Sequence, residues 1–272
     1  MKVVLFCGGL GMRMREFSEA IPKPMVHLGY RPMIWYVMKY YAHYGHKDFI
    51  LCLGYKADVI KNYFLNYNEY LSNDFTLSNG GKEIKLENSD IDDWKITFVD
   101  TGVKSNIGER LKMVEKYLEG EEVFMANYSD GLTDMHLPDY LNNFLEDNKI
   151  GSFLWVRPNL SFHVVSTADE SGLVNSIQPF AQTDLRINGG YFVFRKEIFQ
   201  YMKSGEELVI EPFRRLIEQQ KLIAYKYDGF WMGIDTFKDK QVLDKMYADS
   251  NVPWEVWNKQ NQNDRNHSTL AL

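Results

Sequence analysis

The sequence predicts an α/β protein, a mostly parallel mixed sheet flanked by helices with a smaller β-rich part in its second half. Three observations carry that expectation. The chain opens on a continuous apolar run, residues 2–7, that stops abruptly at Gly8-Gly9-Leu10-Gly11. Strand-like and helix-like runs then alternate as far as residue 156, and alternation of that kind builds parallel sheets covered on both faces. Beyond about Arg157 the apolar runs shorten and strand character leads before helices return.

Taken in order, residues 2–7 read as a buried strand and the following stretch to Pro32 as a loop. Residues 33–44 show a helical pattern that Gly45 stops, and 48–53 read as a second buried strand. Residues 56–71 are expected to be helical, with Val59, Ile60, Tyr63 and Phe64 on one face. Asn, Ser, Gly and Asp scattered through 72–93 favour loop or hairpin. Strands at 95–99 and 123–127 flank a helix at 107–118, and a helix at 138–147 precedes a strand at 151–156. Short strands follow at 164–166, 174–177 and 190–194, then helices at 196–202 and 212–220. A strand pair at 223–227 and 230–232 leads into a helix over 236–247. Residues 1–257 are therefore expected to form a single domain, 1–156 its nucleotide-binding half and 157–257 its acceptor and oligomer half, with a polar tail at 258–272.

Composition narrows the function classes. With 31 Lys+Arg against 37 Asp+Glu, the formal charge is −6, which argues against partners bound through basic clusters, such as nucleic acid or an anionic membrane. No run reaches membrane-spanning length, and the N-terminus lacks a signal-peptide pattern. Cys7 and Cys52 lie inside apolar runs and read as small buried hydrophobes. With only these two cysteines, a reducing, cytoplasmic location is expected. The aromatic load of 17 Phe, 17 Tyr and 6 Trp suggests large buried or inter-subunit surfaces.

Chemistry concentrates in a few segments. Gly8, Gly9 and Gly11 let backbone N–H groups converge on an anion, and Arg13 and Lys23 add charge suited to phosphate oxygens. The same glycines also suit a plain tight turn. The spacing is neither that of a P-loop nor that of the dinucleotide fingerprint. Pro22 and Pro24 are expected to hold Lys23 in an extended conformation. Asp130 follows a buried strand and Asp235 an aromatic one. Together they offer the one or two carboxylates that Mg²⁺ takes beside waters and phosphates, while each singly also suits a turn or a helix N-cap. Arg110 can reach phosphate or pair with Glu109 or Glu115. Asp134 and His136 are read as solvated polar groups, and His27, His43, His46 and His163 have no metal-like spacing.

Five motifs, Gly8-Gly9-Leu10-Gly11-Met12-Arg13, Pro22-Lys23-Pro24-Met25, Ser129-Asp130-Gly131-Leu132, Ile187-Asn188-Gly189-Gly190 and Phe230-Trp231 with Asp235-Thr236, stand in an order that resembles the sugar-1-phosphate nucleotidylyltransferases. The likeness runs from Met1 to about Trp257, is nearest to the glucose-1-phosphate cytidylyltransferases, and is supported by Leu53-Gly54-Tyr55-Lys56, Val99-Asp100-Thr101-Gly102 and Gly108-Glu109-Arg110-Leu111-Lys112. The resemblance implies a Rossmann-like, GT-A-type fold and a homo-oligomer. It implies Mg²⁺ held by Asp130 and Asp235, a nucleoside triphosphate, CTP favoured, touching the glycine loop, Arg13, Lys23 and Arg110, and sugar hydroxyls met by Asn188 and Gly189. Arg13 and Lys23 would be the catalytic pair, and the reaction would couple CTP to a sugar 1-phosphate, glucose 1-phosphate first, with release of pyrophosphate.

The sequence departs from that pattern at one point. A Glu-Lys-Pro segment, whose lysine holds the sugar phosphate in the family, is replaced by Ile177-Gln178-Pro179, and no lysine occurs between Lys149 and Lys196. Arg186 is the expected substitute, with different geometry. Met12 stands where the family often has Thr. A non-glucose or non-sugar phosphate acceptor, or a non-catalytic nucleotide-binding protein, follows as the alternative. A dinucleotide-dependent oxidoreductase lacks both the helix at the glycine loop and the ribose-binding acid it needs.

Overall fold

The computed structural model describes residues 1–9, 21–158 and 162–258. Gly11, Met12 and Arg13 of the glycine loop, and the tail from residue 259, lie outside the described residues. In chain order the strands are β1 (Val3–Phe6), β2 (His27–Leu28), β3 (Arg31–Pro32), β4 (Asp48–Leu53), β5 (Phe75–Ser78), β6 (Glu83–Leu86), β7 (Lys95–Asp100), β8 (Val123–Asn127), β9 (Gly131–Thr133), β10 (Gly151–Val156), β11 (His163–Thr167), β12 (Val174–Pro179), β13 (Ile187–Arg195), β14 (Leu222–Tyr227) and β15 (Trp231–Gly233). The helices are α1 (Met33–His43), α2 (Ala57–Leu65), α3 (Ile107–Val114), α4 (Leu137–Glu146), α5 (Glu211–Glu218) and α6 (Phe237–Ala248).

Seven strands form the central sheet in the order β14-β10-β13-β8-β1-β4-β7. β1 runs parallel to both β4 and β8, and only β13 is antiparallel to its neighbours β8 and β10. The mixed, mostly parallel sheet is thus the predicted one. β1 and β4 are apolar on both faces because helices cover both sides, and two separate clusters of buried side chains result. α1 supplies one of them: Trp35, Tyr36, Tyr40 and Tyr41 are all buried, so its aromatic stripe is core.

After β1 the chain moves outward on one side through β4 and β7, then returns to lay β8 against the other side of β1. Connections therefore diverge between β1 and β8. At such a switch point loops leave in opposite directions beyond the strands' carboxyl ends and open a crevice.

Several local expectations need correction. The helix expected over 56–71 ends at Leu65; Asn68 then caps a separate 3₁₀ turn by accepting from the Tyr70 N–H. The segment 72–93 does hold a hairpin, one of the two forms expected, with Phe75 opposite Leu86 and Leu77 opposite Ile84. The helix expected over 107–118 is α-helical to Val114 and 3₁₀ beyond, and 196–202 is 3₁₀ rather than α. The strands at 223–227 and 230–232 do not pair with each other. β14 joins the edge of the central sheet beside β10, and β15 pairs with β9.

Candidate active site

The crevice between β1 and β8 is built from backbone first. Gly8 and Gly9 follow β1. Ser129, at the end of β8, adopts a left-handed φ of 63°, a conformation a non-glycine residue holds only when its surroundings fix it. Here the Ser129 N–H donates to Asn127 Oδ1 at 2.6 Å and its hydroxyl donates to the Phe6 carbonyl at 2.8 Å, tying the ends of β8 and β1 together. The kink delivers Asp130 to the crevice.

Asp235 arrives from far along the chain by register. β9 and β15 pair with Gly131 opposite Gly233, and the Ile234 N–H donates to the Asp130 carbonyl at 2.9 Å. Lys23 completes the group, donating from Nζ to Asp130 Oδ2 at 2.6 Å and to Asp235 Oδ1 at 2.7 Å. Lys23 opens a 3₁₀ turn, Lys23–Met25, instead of standing extended as expected from its flanking prolines. Pro24 sits in the first turn, where a missing N–H costs nothing.

Burial works against the Lys23 ammonium, yet the two carboxylates outweigh it and hold its pKa above the usual lysine value. Burial pushes the Asp130 carboxyl upward while Lys23 pulls it the other way. Two carboxylate oxygens already converge on one cation here, the Lys23 ammonium. That donor set fits a Mg²⁺ ion, which takes one or two carboxylates and completes its shell with water and phosphate oxygens. It does not fit a metal caged wholly by protein, and among the described residues no group of three or more His, Cys, Asp or Glu gathers for one.

Two cavities meet at this cluster. One of about 280 Å³ is lined by Phe6, Cys7, Gly9, Lys23, Tyr128 and Asp130 among others. The second, of about 620 Å³, begins at Asp235 and Thr236 and is walled by Phe162, Ile187, Trp231 and Val242. A larger depression of about 910 Å³, lined by Lys112, Glu122, Arg195 and Lys196, adjoins Glu122, before the amino end of β8, the end of the sheet opposite the crevice.

Arg110 lies buried rather than open to the crevice. Its guanidinium donates to the carbonyls of Gly8 at 3.0 Å and Leu53 at 3.2 Å and to Thr101 Oγ1 at 2.7 Å. It thus ties the carboxyl ends of three adjacent strands, β1, β4 and β7, and sets where the glycine loop begins. A Cβ on Gly8 would stand 1.9 Å from Arg110 Nη1, whereas one on Gly9 would meet nothing. Gly8 is glycine because Arg110 occupies its side-chain space.

On the other side, Asn188 donates from Nδ2 to Tyr128 Oη at 3.4 Å and accepts the Gly190 N–H at 2.9 Å. Gly189 offers its carbonyl to Trp231 Nε1 at 2.9 Å. Arg186 is engaged elsewhere: it donates to the Tyr227 carbonyl at 3.0 Å, pairs with Asp228 and stacks over Trp155. Its side chain is only 3% exposed, so it does not present the open anion hook expected of it. Asp134 accepts from Tyr227 Oη and the Phe230 N–H, in keeping with a structural reading. Cys7 borders the smaller cavity, but burial pushes its thiol up to about 12, which keeps it neutral and inert.

Sequence reasoning gave no role to Tyr128, Ser129 or Trp231. Tyr128 and Ser129 directly precede Asp130 in the strand-end motif, and that adjacency was the available signal. Nothing in the sequence announces the left-handed Ser129.

Known proteins share this chain's sequence pattern and fold. Residues 2–247 match the sequence profile of the nucleotidyl transferase family. The chain is 34% identical over 259 residues to the glucose-1-phosphate cytidylyltransferase of Salmonella typhi, covering 94% of this chain and 100% of that protein. Identity and coverage are the same for a probable glucose-1-phosphate cytidylyltransferase of Bacillus subtilis. A crystal structure of a putative glucose-1-phosphate thymidylyltransferase from Bacillus anthracis superposes with a TM-score of 0.65 at 14% identity, over 90% of this chain and 94% of that one, a likeness of fold.

Proposed function

The chain belongs to the nucleotidyl transferase family, and from that premise we propose that it transfers the cytidylyl group of CTP to a sugar 1-phosphate, glucose 1-phosphate in the first instance, releasing pyrophosphate with Mg²⁺ as cofactor. One observation carries the reading: Lys23 is bonded to both Asp130 and Asp235 at the point where the two cavities meet. The smaller cavity takes the nucleotide phosphates and the larger takes the acceptor.

A phosphate monoester is mostly dianionic near pH 7, its second pKa being about 6, so its oxygen attacks the α-phosphorus without a general base. The new P–O bond forms as the bond to the β-phosphate breaks, and pyrophosphate carries away the leaving charge. The protein supplies alignment and charge neutralisation. Lys23 neutralises the transferred phosphoryl group, Gly8 and Gly9 offer backbone N–H groups to the leaving phosphates, and Arg13 belongs with them. Asp130 and Asp235 would hold Mg²⁺, which would supply positive charge to screen the phosphates. Arg110 acts through the loop it anchors, and Asn188 and Gly189 border the acceptor.

A second reading of the acceptor rests on Gln178, which stands where the family's phosphate-holding lysine is expected, and on Arg186, committed to Asp228. Together they favour an acceptor other than glucose 1-phosphate. We place the enzyme in the cytoplasm. No helix among the described residues is long and apolar enough to cross a membrane. We also take it as a homo-oligomer: the β5–β6 hairpin shows Phe75, Leu77 and Ile84 on one exposed face.

Pyrophosphate release with Mg²⁺, each of CTP, UTP, dTTP, ATP and GTP, and a panel of sugar 1-phosphates, phosphorylated amino acids and polyol phosphates tests both readings. CTP with glucose 1-phosphate is expected to give release, and CTP with another panel member only would select the second reading. No release with any pair, while CTP still binds, would leave a nucleotide-binding protein and overturn the proposal.

A further inference from the structure

Trp231 occupies a seat made for it. Its Nε1–H donates to the Gly189 carbonyl at 2.9 Å, and its ring edge is flanked by three glycines. A Cβ on Gly131, Gly189 or Gly233 would lie 3.3, 3.1 or 3.5 Å from an indole atom. The three come from β9, β13 and β15, so three strands leave the same space open. The indole is fixed at its edge and half-buried, and it borders the larger cavity.

That cavity is amphipathic. Phe162, Ile187, Trp231 and Val242 supply apolar lining and Asp235, Thr236, Lys238 and Asp239 polar lining, and Asp235 belongs to the cluster that would receive a phosphate. A phosphorylated ring has the same division, one anionic end and C–H faces that lie flat on an aromatic ring. Orientation along that axis would put the phosphate toward Asp235 and Lys23.

We propose that Trp231 is the platform on which the acceptor's body stacks. This rests on the acceptor reading of the larger cavity given above. Trp231 sets acceptor affinity and orientation and takes no part in nucleotide binding. The exposed Phe162, which lines the same cavity, makes a smaller contribution.

The test is steady-state pyrophosphate release with CTP, Mg²⁺ and glucose 1-phosphate, or whichever panel member supports release, for the wild type, Trp231→Ala, Trp231→Phe and Phe162→Ala. Trp231→Ala is expected to raise the acceptor KM at least tenfold with the CTP KM changed less than twofold. Trp231→Phe, which keeps a ring, recovers to within about threefold, and Phe162→Ala raises the acceptor KM two- to fourfold with an unchanged thermal midpoint. An unchanged acceptor KM in Trp231→Ala overturns the proposal, as does a parallel rise of both KM values with a lowered midpoint, the mark of a purely structural tryptophan. If Trp231→Ala does not fold, Trp231→Leu, which keeps apolar volume without a ring, takes its place, and an unchanged acceptor KM in Trp231→Leu overturns the proposal equally. Silence of the wild type with every acceptor defeats the transferase reading itself and is recognised without any variant.

Discussion

The two sides of the crevice are built differently. The nucleotide side is backbone and core: Gly8 packs against a buried Arg110, Ser129 is locked to Phe6, and Asp130 is fixed by that lock. The acceptor side is assembled from short strands and side chains. The β11–β12 hairpin is exposed along most of its length, and the cavity walls are Phe162, Ile187 and Trp231. On the function proposed above, a rigid site for the triphosphate beside a side-chain-lined site for the acceptor would let one sheet keep its chemistry while its acceptor changes. The departure from the family at Gln178 lies on the acceptor side, where such change costs least.

That contrast can be broken by substitution. Removing a carboxylate should be most severe: Asp130→Asn is expected to lower kcat about 10³-fold and the more exposed Asp235→Asn about 10²-fold, both read by pyrophosphate release from proteins with native circular dichroism. If Asp235→Asn proves the more damaging, the buried side is not the dominant one. Next comes the anchor under the loop. Arg110→Lys loses the fork that reaches three strand ends and should cost about 2–3 kcal/mol of stability. The CTP KM should rise while the acceptor KM holds, as seen by denaturant unfolding and initial rates.

The two glycines then sharpen the picture. Gly8→Ala forces a methyl into the guanidinium and should destabilise by about 1–3 kcal/mol, whereas Gly9→Ala should stay within about 0.5 kcal/mol. Equal effects would deny that Arg110 fills the Gly8 space. The smallest effect lies at the amino end of the sheet's strands. Burial holds His46, two residues before β4, down at about 4 from an ordinary 6.5. With its folded-state value depressed, its contribution to stability is whole above pH 6.5 and is lost as pH falls toward 4. The thermal midpoint should therefore decline across that window. His46→Gln should remove part of the slope, His27 and His43 supplying the rest because burial lowers them too.

The sheet was legible because its signal is local and repeated: β1, β4 and β8 are apolar runs of strand length whose boundaries the sequence marks. Lys23, Asp130 and Asp235 were legible as residue types at strand and loop ends. Their meeting was not derivable from spacing, because it depends on the Gly131–Gly233 register and the Ser129 kink. Arg110 illustrates the limit: a guanidinium near a glycine loop suits phosphate or carbonyls equally, and only packing decides. Arg186 illustrates the same limit: its pairing with Asp228, far along the chain, is not readable from spacing. Helix ends were missed at 56–71 and 107–118, where a cap or a 3₁₀ turn overrides a continuing apolar pattern.

We assign phosphoryl transfer to the point where Lys23 joins Asp130 and Asp235. Single-turnover pyrophosphate release by Lys23→Met, with saturating CTP, Mg²⁺ and the active acceptor, addresses it directly when CTP binding is measured alongside. The account predicts a rate at least about 10²-fold below wild type with CTP affinity reduced tenfold or less. A rate within a few-fold of wild type would contradict it and move the chemistry away from this cluster.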